Sequence, residues 1–180
     1  MNEVRISGYG GQGVILSAMV IGKAAALYEN KFSSLAQAFG PEARGSSCSA
    51  QVIISDEKIL YPYLVKSDIL VSMSQEAFRV FSPELKPSGI VVYESELVKP
   101  DGLSKDVKCF GIPSTRIAEE ELKRNIFSNI VMVGFFTAVT NLIKEDSSKK
   151  AISSLVPEHT IEQNLKAFDL GFSYGKKHFA

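Results

Sequence analysis

The run Val4-Arg5-Ile6-Ser7 leads straight into Gly8-Tyr9-Gly10-Gly11-Gln12-Gly13, and residues 14–22 that follow carry no charge. An apolar strand that enters four glycines within six positions and leaves as a helix is a βα turn. A chain that begins this way must pack that helix back onto a sheet. The turn also leaves backbone N–H groups at the positive end of a helix, where an anion such as phosphate is favoured. Gly8, Gly10, Gly11, Gln12 and Gly13 are therefore the first candidates for contact with a phosphorylated ligand.

The same alternation continues. Residues 3–7 read as the first strand and 13–28 as the first helix. Further strands are expected at 32–37, 48–55, 68–73, 89–93 and 107–112. Residues 39–47 read as a loop. Helices are expected at 74–81, from Ser114 onward, and at 129–144, 149–155 and 160–177, with Ser74 and Ser114 as N-caps. Asp56-Glu57-Lys58 reads as a turn into a short Ile59-Leu60 strand, forming a hairpin. Strands alternating with helices imply an α/β fold, a three-layer αβα sandwich whose sheet is mostly parallel but mixed, with a helical C-terminal third. All 180 residues are expected to form a single domain.

Lysine plus arginine equals aspartate plus glutamate, 20 each, which argues against a general nucleic-acid or membrane-surface binder. Residues 126–143 carry no charge, but Ser128, Asn129, Gly134, Thr137, Thr140 and Asn141 interrupt them, so a helix buried in a core or an interface is expected and not a membrane span. Phe135 and Phe136 fall on adjacent faces of that helix: either both are buried within the domain or one serves a neighbouring chain. No basic leader segment opens the chain, and only Cys48 and Cys109 are present, which points to a reducing cytoplasm. Both cysteines are expected to be inert. His159 and His178 have no carboxylate nearby at metal spacing and read as surface or packed side chains; no metal site is expected.

Gly8, Gly10 and Gly13 fit the G-x-G-x-x-G pattern of dinucleotide sites. A nicotinamide site needs a carboxylate at the end of the second strand, and Phe32-Ser33-Ser34-Leu35-Ala36-Gln37 has none. No Lys-Ser or Lys-Thr follows the glycines, so this is not a Walker loop. Farther on, Gly40-Pro41-Glu42-Ala43-Arg44-Gly45 is a turn that presents an arginine able to pair with a phosphate or carboxylate, which adds Arg44 and Gly45 to the candidates.

Taken together, Gly8-Tyr9-Gly10-Gly11-Gln12-Gly13-Val14, Phe39-Gly40-Pro41-Glu42-Ala43-Arg44-Gly45, Ser49-Ala50-Gln51-Val52-Ile53-Ile54-Ser55-Asp56 and Asn129-Ile130-Val131-Met132-Val133-Gly134 resemble the gamma subunit of the 2-oxoacid:ferredoxin oxidoreductases. The order and spacing of these blocks match over nearly the whole chain. The family acts on pyruvate, 2-oxoglutarate, 2-oxoisovalerate or indolepyruvate. The resemblance implies a complex in which a 2-oxoacid is decarboxylated on thiamine diphosphate with Mg2+, the acyl group passes to coenzyme A (CoA), and two electrons leave through Fe-S clusters to ferredoxin. Implied partners are alpha and beta subunits, a ferredoxin-like delta subunit, and ferredoxin itself. The 2-oxoglutarate type is preferred from overall likeness and from no single residue.

The chain itself offers little for that chemistry. A cluster usually takes four thiolates in tight runs, and two cysteines sixty-one positions apart do not supply them. Pro100-Asp101-Gly102-Leu103 is the nearest approach to a thiamine diphosphate–magnesium motif, and it lacks the first glycine and the later asparagine. The expected function is a non-catalytic gamma subunit, inactive alone, that completes the CoA region of a heteromer through its glycine loop and Arg44. A stand-alone nucleotide-binding α/β regulatory module is the alternative.

Overall fold

A computed structural model of the chain describes residues 1–39 and 47–179. In chain order the elements are β1 (Asn2–Tyr9), α1 (Val14–Tyr28), β2 (Phe32–Phe39), β3 (Ser47–Ser55), β4 (Ser67–Ser72), α2 (Gln75–Phe81), β5 (Leu85–Glu94) and β6 (Lys108–Ile112). They are followed by α3 (Ser114–Leu122), α4 (Ser128–Thr140), α5 (Glu145–Leu155) and α6 (Ile161–Phe179). The strands form one sheet in the order β2-β3-β1-β4-β5-β6. β1, β4, β5 and β6 run parallel, whereas β3 is antiparallel to both β1 and β2. The sheet is mixed, with its parallel half continuous.

Alternation along the strands separates two apolar faces. Val4, Ile6, Val52, Ile69, Val71 and Val92 point to one face and join the main core with α1, α4, α5 and α6. Leu70 and Val91 point to the other, where Phe78 of α2 and Val98 cover them. Helices on both faces make the expected three layers. α4 is buried along nearly its whole length, with Phe135 and Phe136 each 0% exposed, because α6 packs closely on it. Neither phenylalanine is left for a neighbouring chain. Among the described residues no helix is long and apolar enough to cross a membrane.

Five expectations need correction, and the plainest is that the helix expected at 149–155 already begins at Glu145. The hairpin at residues 56–60 does not form; β3 already has β2 and β1 on its two sides, so Ile59-Leu60 has no open strand to pair with. Residues 56–66 instead make an irregular strap, with Leu64 N–H donating to Gln51 Oε1 at 3.1 Å. β5 starts at Leu85 and not at Gly89, because a register shift against β4 between Ser67 and Ile69 accommodates Pro87, which cannot donate to a ladder. The helix expected at 129–144 stops at Thr140, where Asn141 takes the left-handed conformation (φ 51°) and donates its N–H to Thr137 O. Ser114 is not an N-cap but lies within α3, and a more distant side chain does the capping, as described below.

Candidate functional site

β1 lies between β3 and β4. Its following helix α1 packs on one face of the sheet, while α2, which follows β4, packs on the other. The carboxyl ends of β1 and β4 therefore open a crevice at the point where the winding reverses, the place where doubly wound sheets bind ligands. The glycine loop occupies it.

Inside the loop the glycines have different tasks. A Cβ on Gly8 would stand 2.6 Å from Gln12 Oε1 and 3.1 Å from Met73 Cβ. Gly13 has φ 72°, and a Cβ there would stand 2.3 Å from Asn129 Nδ2, so its close neighbour is α4. Gly10 is half-buried in the turn. Gly11 differs from the others: it is exposed, has φ 99°, and a Cβ would meet nothing within 4 Å. That is the part of the loop open to a ligand.

Gln12 turns inward. Its Oε1 accepts from Tyr9 N–H at 2.7 Å and its Nε2 donates to Met73 O at 3.1 Å, while Gln12 N–H donates to Tyr9 O at 3.1 Å. The side chain thus ties the end of β1 to the residue after β4, and both its polar atoms are engaged within the chain. It positions the loop rather than reaching out from it. The mouth of α1 itself has no side-chain cap and no acidic residue in its first turn. Ser17 N–H and Oγ both satisfy Gly13 O, at 3.0 and 3.1 Å, so the carbonyl side of the turn is settled while the first N–H groups of α1 have no partner within the helix. On the α2 side hydrogen bonding to the Glu76 carboxylate, with desolvation added, pushes the Tyr9 phenol up.

Two hollows meet at Gly11 and Ile126. One, of about 440 Å³, is lined by Leu16, Arg124, Phe127, Asn129, His159 and Asn164 among others. The second, of about 390 Å³, is lined by Gln12, Leu97, Thr115, Asn125 and Ser128. The wall behind Thr115 is built by Glu94 at the end of β5, 1% exposed. Its Oε2 accepts from Ser114 Oγ, from Thr115 N–H at 2.9 Å and from Thr115 Oγ1 at 3.2 Å, and its Oε1 accepts from Glu96 N–H at 3.2 Å. A carboxyl group thus caps α3 from the neighbouring strand.

Of the expected site residues, the structure brings Gly8, Gly10, Gly11, Gln12 and Gly13 together at the crevice; Arg44 and Gly45 lie outside the described residues. Sequence reasoning missed Asn129 and Glu94. A polar residue at the start of an uncharged helix and a lone carboxylate closing an apolar strand were the available signals. His178 packs on Tyr174, with ring centroids 4.4 Å apart, and His159 lies at the rim of the larger hollow.

The sequence of the pyruvate ferredoxin/flavodoxin oxidoreductase family model matches residues 3–174. The chain belongs to that family. It is 46% identical to the 2-oxoglutarate synthase subunit KorC of Methanocaldococcus jannaschii over 97% of this chain and 94% of that one. It is 41% identical to the KorC subunit of Methanothermobacter thermautotrophicus over 94% and 92% of the two chains. Among solved structures, the gamma subunit of a keto/oxoacid ferredoxin oxidoreductase from Geobacter sulfurreducens superposes with a TM-score of 0.84 at 34% identity, covering 97% and 98% of the chains. The 2-oxoglutarate:ferredoxin oxidoreductase of Magnetococcus marinus, solved with 2-oxoglutarate, coenzyme A and succinyl-CoA bound, gives 0.87 at 27% identity; 98% of this chain matches 32% of that one. The chain is thus a gamma-type subunit of a 2-oxoacid:ferredoxin oxidoreductase.

Among the described residues no three His, Cys, Asp or Glu side chains gather to hold a metal ion. Cys48 is buried in β3 and Cys109 is exposed on β6. Three strands, β1, β4 and β5, lie between them, so the two residues are at least about 19 Å apart at the usual strand spacing and cannot share a cluster. Desolvation pushes both thiols up, which holds them protonated. Asp101 and Gly102 sit exposed in the connection between β5 and β6, with Gly102 at φ 74° serving a turn.

Proposed function

We propose that this chain is the gamma subunit of a 2-oxoglutarate:ferredoxin oxidoreductase of the cytoplasm, and that its crevice at the β1/β4 ends faces the phosphates of coenzyme A in the assembled complex. The observation that carries the site reading is the open mouth of α1, where Gly11 is exposed with free space on its Cβ side and no side chain caps the first turn. Outward N–H groups at a helix start hold an anion without further charge. Arg44, with Gly45 beside it, is proposed as the added cation. The substrate preference rests on the likeness to KorC subunits along nearly the whole chain.

In such a complex thiamine diphosphate would supply the decarboxylation chemistry, CoA would accept the acyl group and Fe-S clusters would supply the path for electrons to ferredoxin. Alpha and beta subunits and a ferredoxin-like delta subunit are the proposed holders of those groups. The contribution of this chain is to bind and orient: Gln12 fixes the loop against Met73, Glu94 fixes the α3 wall, and Gly11 leaves room for a phosphate to approach backbone. The purified native complex, assayed by viologen reduction over a panel of 2-oxoacids, should prefer 2-oxoglutarate, and the chain alone should reduce no dye. In the same complex Arg44→Ala should raise the KM for CoA. An unchanged KM and turnover would remove the site, and a preference for another oxoacid would overturn the substrate.

A further inference from the structure

The sheet has two open edges, and they are treated differently. β6 is five residues long and starts at Lys108, and its Phe110 ring packs on Phe179 at 5.3 Å. β2 is eight residues long, FSSLAQAF, with no charge, proline or glycine. Short length, lysine and proline are the usual protections of a strand edge, and β2 has none of them. Exposed apolar side chains gather at the same place. Of the fourteen large apolar side chains exposed among the described residues, nine lie on α1, β2 and the strap; the other five are Met1, Val80, Leu97, Ile126 and Phe179. They include Leu27 (65% exposed), Phe32 (49%), Leu35 (38%), Leu60 (88%) and Tyr61 (65%). The strap is tied to this edge through Ser34 Oγ donating to Pro62 O at 3.5 Å. On the other face a groove of about 330 Å³ between α1 and β2 is lined by Met19, Lys23, Leu27 and Leu35.

We propose that this edge is where a second copy of the chain docks, β2 against β2 antiparallel about a twofold axis at Leu35, to give a continuous twelve-stranded sheet from two six-stranded ones. Two features of β2 favour its own copy. A twofold contact sets the centre of a patch against itself, so any charge there would meet its like; β2 carries none. The pattern is also self-complementary. In a continuous sheet, opposed residues must share a face, which centres the pairing on a single residue. With Leu35 opposite the partner's Leu35, Phe32 falls opposite the partner's Ala38 and Ser34 opposite the partner's Ala36. Over residues 32–38 no two bulky apolar side chains meet except at the axis, where the two leucines meet.

The test uses the full chain. Light scattering after gel filtration should give twice 19.7 kDa. Leu35→Lys should weaken the dimer about 100-fold or more by setting two ammonium groups on the axis, with an unchanged far-UV spectrum. In a Cys109→Ser background, Leu35→Cys should form an intermolecular disulfide on oxidation, because directly opposed Cα atoms lie about 4.5–5.5 Å apart, within disulfide range. Gln37→Cys should not, because its own copies would lie about 14 Å apart along the strands. A monomer at the highest soluble concentration would overturn the proposal. So would a dimer indifferent to Leu35→Lys, or equal crosslinking of the two cysteine variants. A chain monomeric alone whose Leu35→Lys variant loses co-purification with a larger subunit would also overturn it, giving the edge to that subunit.

Discussion

Two glycine-to-alanine substitutions with opposite signs test how α4 and α6 are held together. At Gly171 in α6, a Cβ would stand 1.9 Å from Val131 O and 2.9 Å from Phe135 N, both backbone atoms of α4. A carbon needs about 3.3 Å from a carbonyl oxygen, so the helices must part locally by roughly 1.4 Å. The reverse approach is equally close: a Cβ on Gly134 would stand 2.1 Å from Phe168 O. Overpacking of this kind costs up to about 3 kcal/mol, and parting the helices weakens the contacts of Phe135 and Phe168, which adds about another 1 kcal/mol. Alanine returns about 1 kcal/mol of helix propensity. Gly171→Ala should therefore lose about 2–3 kcal/mol, or about 5–10 °C in Tm. Gly22 in α1 is the contrast. There a Cβ would stand 3.1 Å from Ser33 Oγ and 3.6 Å from Val52 Cγ1, and the serine hydroxyl can rotate away. Gly22→Ala should be neutral or gain up to about 1 kcal/mol. Urea unfolding followed by circular dichroism, with unchanged m-values, measures both. Equal stabilities for the two variants would show that backbone approach does not set the α4–α6 distance.

Three further outcomes are expected. Glu94→Leu should lose about 2–3 kcal/mol in the same unfolding assay, because it strands the donors of Ser114, Thr115 and Glu96, while Glu94→Gln keeps an acceptor and should lose less. Gln12→Ala removes the bonds to Tyr9 N–H and Met73 O and should cost about 1–2 kcal/mol, and hydrogen exchange should speed at the Tyr9 amide. The Lys149 ammonium is held above its ordinary range, first by hydrogen bonding to Asp169 and then to Glu145. A raised folded-state pKa gives stability that is complete below the ordinary lysine value of about 10.4 and is lost as pH rises through the higher folded value. Unfolding midpoints of wild type and Lys149→Met should therefore converge above about pH 10.4, and a constant gap there would contradict the ion pair.

The βα turn, the buried strands and the helical C-terminal third follow from local signals: glycine spacing, β-branched runs and apolar periodicity, each readable within about ten residues. Ser74 capping α2 through Ala77 N–H is legible for the same reason. The site candidates in the glycine loop also came from spacing, but their tasks did not. That Gln12 bonds inward to Met73, and that Gly13 makes way for Asn129, depends on contacts across 61 and 116 positions. The placement of β3 between β2 and β1 was likewise hidden, since an antiparallel partner leaves no mark on the strand that receives it. Once β3 was taken on both sides, residues 56–66 had no strand to join and became a strap, and the cap of α3 came from Glu94, 20 positions before Ser114. Sequence determined which segments could be strand, turn or helix, because backbone preference is local. Tertiary structure decided which edge stayed open and which glycine faced outward, because burial and pairing depend on neighbours that only the folded chain supplies.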